Sequence, residues 1–366
     1  PFFLLAGELM NAGGMSRRIV AFAISLAGHV RGGLGVVAIF AAIILASLSG
    51  SAAADTAALV TMLLPMMRGA GHDEARSVGL LASGGIIAPI IPPSIAYIIF
   101  GVATNLSITQ LFMAGIVPGV MMGLGALAAW MVVSRLDNVE PLPRATWAER
   151  GRATRDAIWA LGLPVIILGG IRFGIVTPTE AAVVAVAYAL FVGLVVYREL
   201  KPSQLFEVFR NAATTTAVVM LLAAAALATA WFVSIADLSG IVLSLVEPLI
   251  EHPKILMAVI MLLIVAVGTA LDMGPTILIL APVLLPVVKE AGIDPIYFGV
   301  LFVINCAIGL VTPPVGIALS VASGVSGVPM HRAALGAMPF MIAQIGVLFL
   351  LVLFPQLVLW PMEWLR

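Results

Sequence analysis

Oxygen-bearing side chains are scarce in this chain, and they gather at a few interruptions of long apolar runs. Ser49, Gly50 and Ser51 interrupt one run, with Asp55 and Thr56 just beyond. Gly268, Thr269, Asp272 and Gly274 interrupt another, followed by Pro275 and Thr276. Two further interruptions are made by proline: Pro89, Pro92 and Pro93 in GIIAPIIPPSIAYIIFG, and Pro313 and Pro314 in AIGLVTPPVGIALSVASG. A proline inside a helix has no N–H and leaves the carbonyl four residues earlier without a partner. By that rule the carbonyls of Gly85, Ala88 and Pro89 are freed in the first segment, and those of Gly309 and Leu310 in the second. A bare carbonyl in low dielectric needs a donor or a cation. Hard oxygen ligands suit a hard monovalent cation such as Na⁺. One Na⁺ is therefore expected between Ser49–Ser51 and the Gly85–Ser94 break. A second is expected between Gly268–Gly274 and the Gly309–Val315 break, with Thr312 as a further ligand. The plain alternative is that the prolines only kink helices and that water or Ser/Thr side chains satisfy the freed carbonyls. Two matching breaks opposite two matching interruptions favour the sites.

Two carboxylates fall at these points. An ionised Asp near a bilayer centre costs about 2.5–3.5 kcal/mol on insertion scales, so each needs a reason to be there. Asp55 and Asp272 either help hold a cation or cap the helices that follow them, Asp272 standing three residues before Pro275. Both readings stay open.

The elements that position these residues follow from length. Leu34–Met67 and Ile255–Val288 each hold two apolar runs about a polar knot. Each run has roughly 12 to 15 residues, about 18 to 23 Å of helix, short of a ~30 Å hydrocarbon core. The expectation is two re-entrant hairpins that enter and leave on one side. Turned backbone at membrane depth is tolerated only beside protein or a water-filled cavity. The proline segments, residues 77–100 and 297–322, read as broken helices. Spans are expected at 111–133, 158–170, 178–196 and 214–236, and a last helix at 333–358. Asn11–Val30 and Leu238–Leu249 read as interfacial connectors. Thr177-Pro178-Thr179-Glu180 reads as a capping box heading a span.

The order hairpin, loop, broken helix, closing helix occurs twice. Asp55–Pro65 (DTAALVTMLLP) and Asp272–Pro282 (DMGPTILILAP) share their Asp-to-Pro spacing, and a Pro-Pro pair follows each Asp by about forty residues. The chain divides into a first repeat, residues 1–133, a polar cytoplasmic linker, 134–157, and a second repeat, 158–366. The first repeat has fewer spans ahead of its hairpin, so roughly 60 residues are expected upstream of Pro1 by symmetry. With the linker inside, Arg172, Lys254, Lys289 and Arg366 fall outside, and the other Lys and Arg, Arg31 among them, fall inside. That bias sets orientation and makes the two hairpins face opposite ways.

Composition bounds the class. Of 366 residues, 62% are hydrophobic and 10% charged, which excludes an ordinary soluble domain and a disordered chain. The net charge is zero, so nothing favours nucleic acid. The single Cys306 rules out an internal disulfide, and no two of the four histidines have metal-ligand spacing. Gly324-Val325-Ser326-Gly327 matches the GxSG of intramembrane serine proteases, but no histidine base falls in an expected span, so an enzyme is not expected.

The stretches PFFLLAGELMNAGG, SLSGSAAADTAAL, GIIAPIIPPSI, GIVTPTEAA, DMGPTILILAPVLLPV and GLVTPPVGIALSVASG resemble the large membrane subunit of tripartite ATP-independent periplasmic (TRAP) transporters, and they run the length of the chain. The resemblance implies an all-α integral membrane protein, an inverted-repeat transporter with two re-entrant hairpins and two broken helices. It implies Na⁺-coupled import of an organic acid by elevator motion of a transport unit against a scaffold. The implied partners are a small membrane subunit of four helices and a periplasmic substrate-binding protein, in the bilayer of a bacterial inner membrane. An organic anion would lie between the two hairpin tips, with Ser51, Ser94, Thr269, Thr312 and backbone N–H groups as donors beside the cations. The Na⁺ positions expected are Ser49, Gly50, Ser51, Gly85, Ala88 and Pro89 in the first half, and Gly268, Asp272, Gly309, Leu310 and Thr312 in the second. A channel or a non-transporting membrane scaffold is the competing class. A channel needs a continuous polar lining, whereas these polar residues cluster at knots.

Overall fold

The computed structural model describes residues 1–30, 32–136, 139 and 142–365. Arg31 and Arg366, used in the charge argument, lie outside the described residues, as do 137, 138, 140 and 141 of the linker. Every long element among the described residues is helical. The first half holds α1 (Phe2–Ala12), α2 (Met15–Ala27), α3 (Gly33–Ser49), α4 (Ala52–Gly69), α5 (Glu74–Gly85), α6 (Ile95–Thr104) and α7 (Ile108–Val133). Beyond the linker come α8 (Trp147–Arg172), α9 (Pro178–Phe191), α10 (Pro202–Ile235) and α11 (Leu238–Ile250). The chain closes with α12 (Pro253–Gly268), α13 (Met273–Glu290), α14 (Pro295–Gly309), α15 (Ile317–Ser326), α16 (Met330–Leu353) and α17 (Gln356–Leu365). Among the described residues, six helical stretches are long and apolar enough to cross a membrane, beginning at Ile108, Trp147, Pro178, Pro202, Met273 and Met330.

Local chemistry sets the boundaries. Thr146 and Glu149 form a reciprocal capping box, so α8 starts at Trp147, inside the stretch expected to be linker. Thr177 and Glu180 form the expected second box, with Pro178 at the first helical position of α9. α10 starts at Pro202, twelve residues before the expected span at Thr214, because that proline has no N–H to lose at a helix start. The expected last helix, 333–358, is two helices. Pro355 forces its predecessor out of the helical region, and Phe354 sits at φ −124°, ψ 76°. α2 is tied to the segment before α10: Arg18 Nη2 lies 2.8 Å from Glu199 Oε1, and its guanidinium stacks 3.7 Å from the Tyr197 ring centroid.

The core is built from the two broken segments. Every residue from Ser77 to Ser94 and from Ile296 to Val311 is buried, as expected for helices apolar on all sides. Phe100, Phe298 and Phe302 join the halves, with ring centroids 5.4 Å apart for Phe100–Phe302 and 5.6 Å for Phe298–Phe302.

Small details recur in the two halves. Gly71 (φ 85°) and Gly292 (φ 68°) stand two residues ahead of Asp73 and Asp294, which cap α5 and α14. Each Asp accepts the N–H three residues on, from Arg76 and from Tyr297, both at 2.8 Å. Those same residues reach the ends of the closing helices: Arg76 Nη1 donates to the Val133 carbonyl at 3.1 Å, and Tyr297 Oη to the Leu351 carbonyl at 3.0 Å.

Candidate functional site

Gly50 turns the chain between α3 and α4 at φ 61°, a left-handed conformation that glycine adopts without steric cost. A Cβ placed on Gly50 would lie 2.9 Å from the Pro93 carbonyl oxygen and 3.5 Å from Ser94 Cα. The first tip therefore rests directly on the first proline break. Ser51 caps α4, its Oγ accepting the Ala54 N–H at 3.4 Å. One turn in, Asp55 is only 3% exposed. Ser49 Oγ donates to Asp55 Oδ1 at 2.5 Å and accepts the Ser51 N–H at 3.2 Å. Asp55 Oδ2 has no partner among the described residues, and neither does the fully buried Thr56 Oγ1. A Cβ on Gly85 would overlap Thr56 Oγ1, so the end of α5 presses on that hydroxyl. Ser49, Ser51, Asp55, Thr56 and Gly85 thus converge, and Asp55 Oδ2 and Thr56 Oγ1 are the oxygens without partners among the described residues.

The second tip meets its break in the same way. A Cβ on Gly309 would lie 2.7 Å from the Gly268 carbonyl carbon. Its chemistry differs. Asp272 is exposed and caps α13, Oδ1 accepting the Met273 N–H at 2.7 Å and its carbonyl accepting Thr276 Oγ1 at 2.8 Å. Pro313, Pro314 and Val315 are exposed, whereas the first break is buried throughout.

One sequence expectation needs correction. Four of the five carbonyls expected to be bare are not. Gly85 O accepts Ala88 N–H at 3.2 Å, and Pro89 O accepts Ser94 Oγ at 2.5 Å. Gly309 O accepts Thr312 N–H at 3.1 Å, and Leu310 O accepts Ala318 N–H at 2.9 Å. The chain past each proline folds back tightly enough to supply donors that the helix rule ignores. Ala88 O accepts no hydrogen bond among the described residues. The satisfied carbonyls keep one lone pair each for a cation. The hydroxyls expected as donors to an anion are engaged locally in this structure. A hydroxyl carries one hydrogen. Ser94 gives its hydrogen to Pro89 O, Thr269 to Ala266 O at 2.8 Å, and Thr312 to Ile308 O at 2.8 Å. Back-bonding of this kind is the local preference of Ser and Thr near helix ends.

Some polar groups escaped the sequence reading. Gln344 and Asn305 are fully buried amides in apolar helices, Gln344 bonded to Ser83 O at 3.0 Å and Asn305 to Met261 O at 2.5 Å. Each keeps an amide oxygen without a donor among the described residues, and Ser83 Oγ is likewise unpartnered. The available signal was the lone amide in MIAQIGVLFL and in LFVINCAIGL. The GxSG serine ends a helix: Ser326, the last residue of α15, donates from Oγ to Ser323 O at 3.2 Å and accepts the Val328 N–H at 3.1 Å.

An apolar helical protein with paired helix breaks and oxygen clusters has the architecture of a membrane carrier. The family model for the tripartite ATP-independent periplasmic transporter, DctM component, matches residues 1–357. The 2,3-diketo-L-gulonate TRAP transporter large permease of Escherichia coli is 53% identical over all of this chain and 86% of its own length. The sialic acid TRAP large permease of Vibrio cholerae is 38% identical over 98% of this chain and 84% of its own length. The C4-dicarboxylate TRAP large permease of Pseudomonas aeruginosa is 37% identical over all of this chain and 86% of its own length. The chain belongs to the family of TRAP transporter large permeases, multi-pass proteins of the bacterial inner membrane.

Proposed function

We propose that this protein imports a small organic acid, driven by Na⁺, through elevator motion of a unit made of α3–α6 and α12–α15. The carrying observation is the first tip: a buried carboxylate oxygen and a buried hydroxyl, Asp55 Oδ2 and Thr56 Oγ1, without partners among the described residues and beside a helix break. Such groups are costly in low dielectric, and a bound monovalent cation relieves both together. The remaining lone pairs of Ser49 Oγ and of the Gly85, Ala88 and Pro89 carbonyls complete an oxygen shell. The matching contact of Gly268 with Gly309 supports a second, more open site.

Two re-entrant hairpins facing opposite ways are supported by the recurring loop, cap and closing-helix contacts of the two halves and by the Lys and Arg bias. α13 is also long enough to cross a membrane by length and composition alone. Its pairing with α12 across a polar knot that touches the second break favours the hairpin. The relatives are named for acids, which supports a carboxylate substrate. It would meet the main-chain N–H groups at the tips, where α4 and α13 begin, because most hydroxyl hydrogens there are already placed. A small membrane subunit and a periplasmic binding protein complete the tripartite system.

The experiment is uptake into proteoliposomes with both partner proteins under an imposed Na⁺ gradient. Accumulation that follows the gradient is expected; flux indifferent to it defeats the coupling.

A further inference from the structure

The line of buried, unpartnered oxygens continues past the first tip. Asp55 Oδ2 and Thr56 Oγ1 lie on α4, and Thr56 is pressed by Gly85 at the end of α5. Two residues back, Ser83 Oγ is fully buried and has no partner among the described residues. The Ser83 carbonyl accepts Gln344 Nε2 of α16 at 3.0 Å, and Gln344 Oε1 again lacks a donor among them. Three residues earlier, on the same face of α16, Met341 Sδ stands 3.4 Å from Thr312 Oγ1 at the second break. A single helix face therefore touches the end of α5 with an amide and the second break with a thioether.

We propose that Gln344 is a positioning residue that couples the two cation sites. This rests on the Na⁺-coupled reading above and adds to it the route by which one site senses the other. A cation drawn between Asp55 and Thr56 bears on Gly85, and so on the last turn of α5. The Ser83–Gln344 hydrogen bond passes that displacement to α16, which carries it to Thr312 through Met341. An amide satisfied at one end and bare at the other is a poor structural fastener. It suits a group whose second bond forms in only one of two arrangements, and coupling requires such an element with two states.

The test is Na⁺ titration of uptake by the complete transporter, reading the Hill coefficient, with thermal melting alongside. Wild type is expected to show a Hill coefficient above one. Gln344→Met keeps the volume and removes the amide; it is expected to bring the coefficient to one while leaving the substrate KM at saturating Na⁺ unchanged. Gln344→Glu, which as the neutral acid still donates to Ser83 O, is expected to restore cooperativity in part. Met341→Leu breaks the other end of the route with little change in volume and is expected to lower the coefficient as well, which decides the matter if Gln344→Met fails to fold. A folded Gln344→Met or Met341→Leu with wild-type cooperativity overturns the proposal. So does a Na⁺-dependent wild type with a coefficient of one, which leaves the function above standing. Uptake indifferent to Na⁺ in wild type removes both.

Discussion

Gly268 and Gly309 touch main chain to main chain: a Cβ on Gly309 would fall 2.7 Å from the Gly268 carbonyl carbon. A hairpin tip and a helix break meet there with no side chain between them. Gly309→Val is therefore expected to separate the pair, with overpacking of about 1–3 kcal/mol and loss of transport. Gly274, on the same tip, has nothing within 4 Å of a Cβ. Gly274→Ala is expected to melt and transport like wild type. The measurement is melting temperature and uptake for both variants.

The first tip is tested through its charge. Asp55→Asn keeps the shape and the acceptor for Ser49 Oγ but removes the carboxylate. The Na⁺ concentration for half-maximal uptake is expected to rise about tenfold or more, the loss of one charged ligand contact. Ser49→Ala leaves the carboxylate in place and is expected to shift it less. Na⁺ titrations of uptake check both.

At the second tip the same substitution should behave differently. Asp272 is exposed and caps α13 through Met273 N–H. Asn caps a helix about as well as Asp, whereas Ala loses about 0.5–2 kcal/mol. Asp272→Asn is expected to retain both stability and Na⁺ dependence, and Asp272→Ala to lose stability. Retained stability with lost Na⁺ dependence in Asp272→Asn would make this carboxylate a ligand.

The repeated tie between broken and closing helices is tested by Tyr297→Phe, which removes the bond from Tyr297 Oη to Leu351 O. A loss of about 0.5–1.5 kcal/mol is expected, read as a lowered midpoint of thermal unfolding in detergent.

The sequence showed where the chain breaks and which pieces must meet. Pro92-Pro93, Pro313-Pro314 and the knots at Ser49–Ser51 and Gly268–Gly274 were legible because glycine and proline act locally, and the structure brings each knot onto its break. The donors were not legible. Whether Leu310 O is bare depends on Ala318 and Leu319 returning over it, and whether Ser94 has a hydrogen to offer depends on Pro89 O lying in reach. Both are set by backbone three-dimensional course rather than residue type. Gln344 was missed for a related reason. One amide in an apolar helix has no partner in sequence, and its relation to Ser83 spans two helices from opposite halves. The ends of α8, α10 and α16 moved for local reasons, a capping box and two prolines, that hydropathy alone does not weigh.

The central claim is that a cation belongs between Asp55 and Thr56. Binding of radiolabelled Na⁺ to the purified protein, compared between wild type, Asp55→Asn and Asp272→Asn, tests it most directly. Saturable binding that is lost in Asp55→Asn and kept in Asp272→Asn is the predicted result. Equal binding by wild type and a folded Asp55→Asn would contradict it.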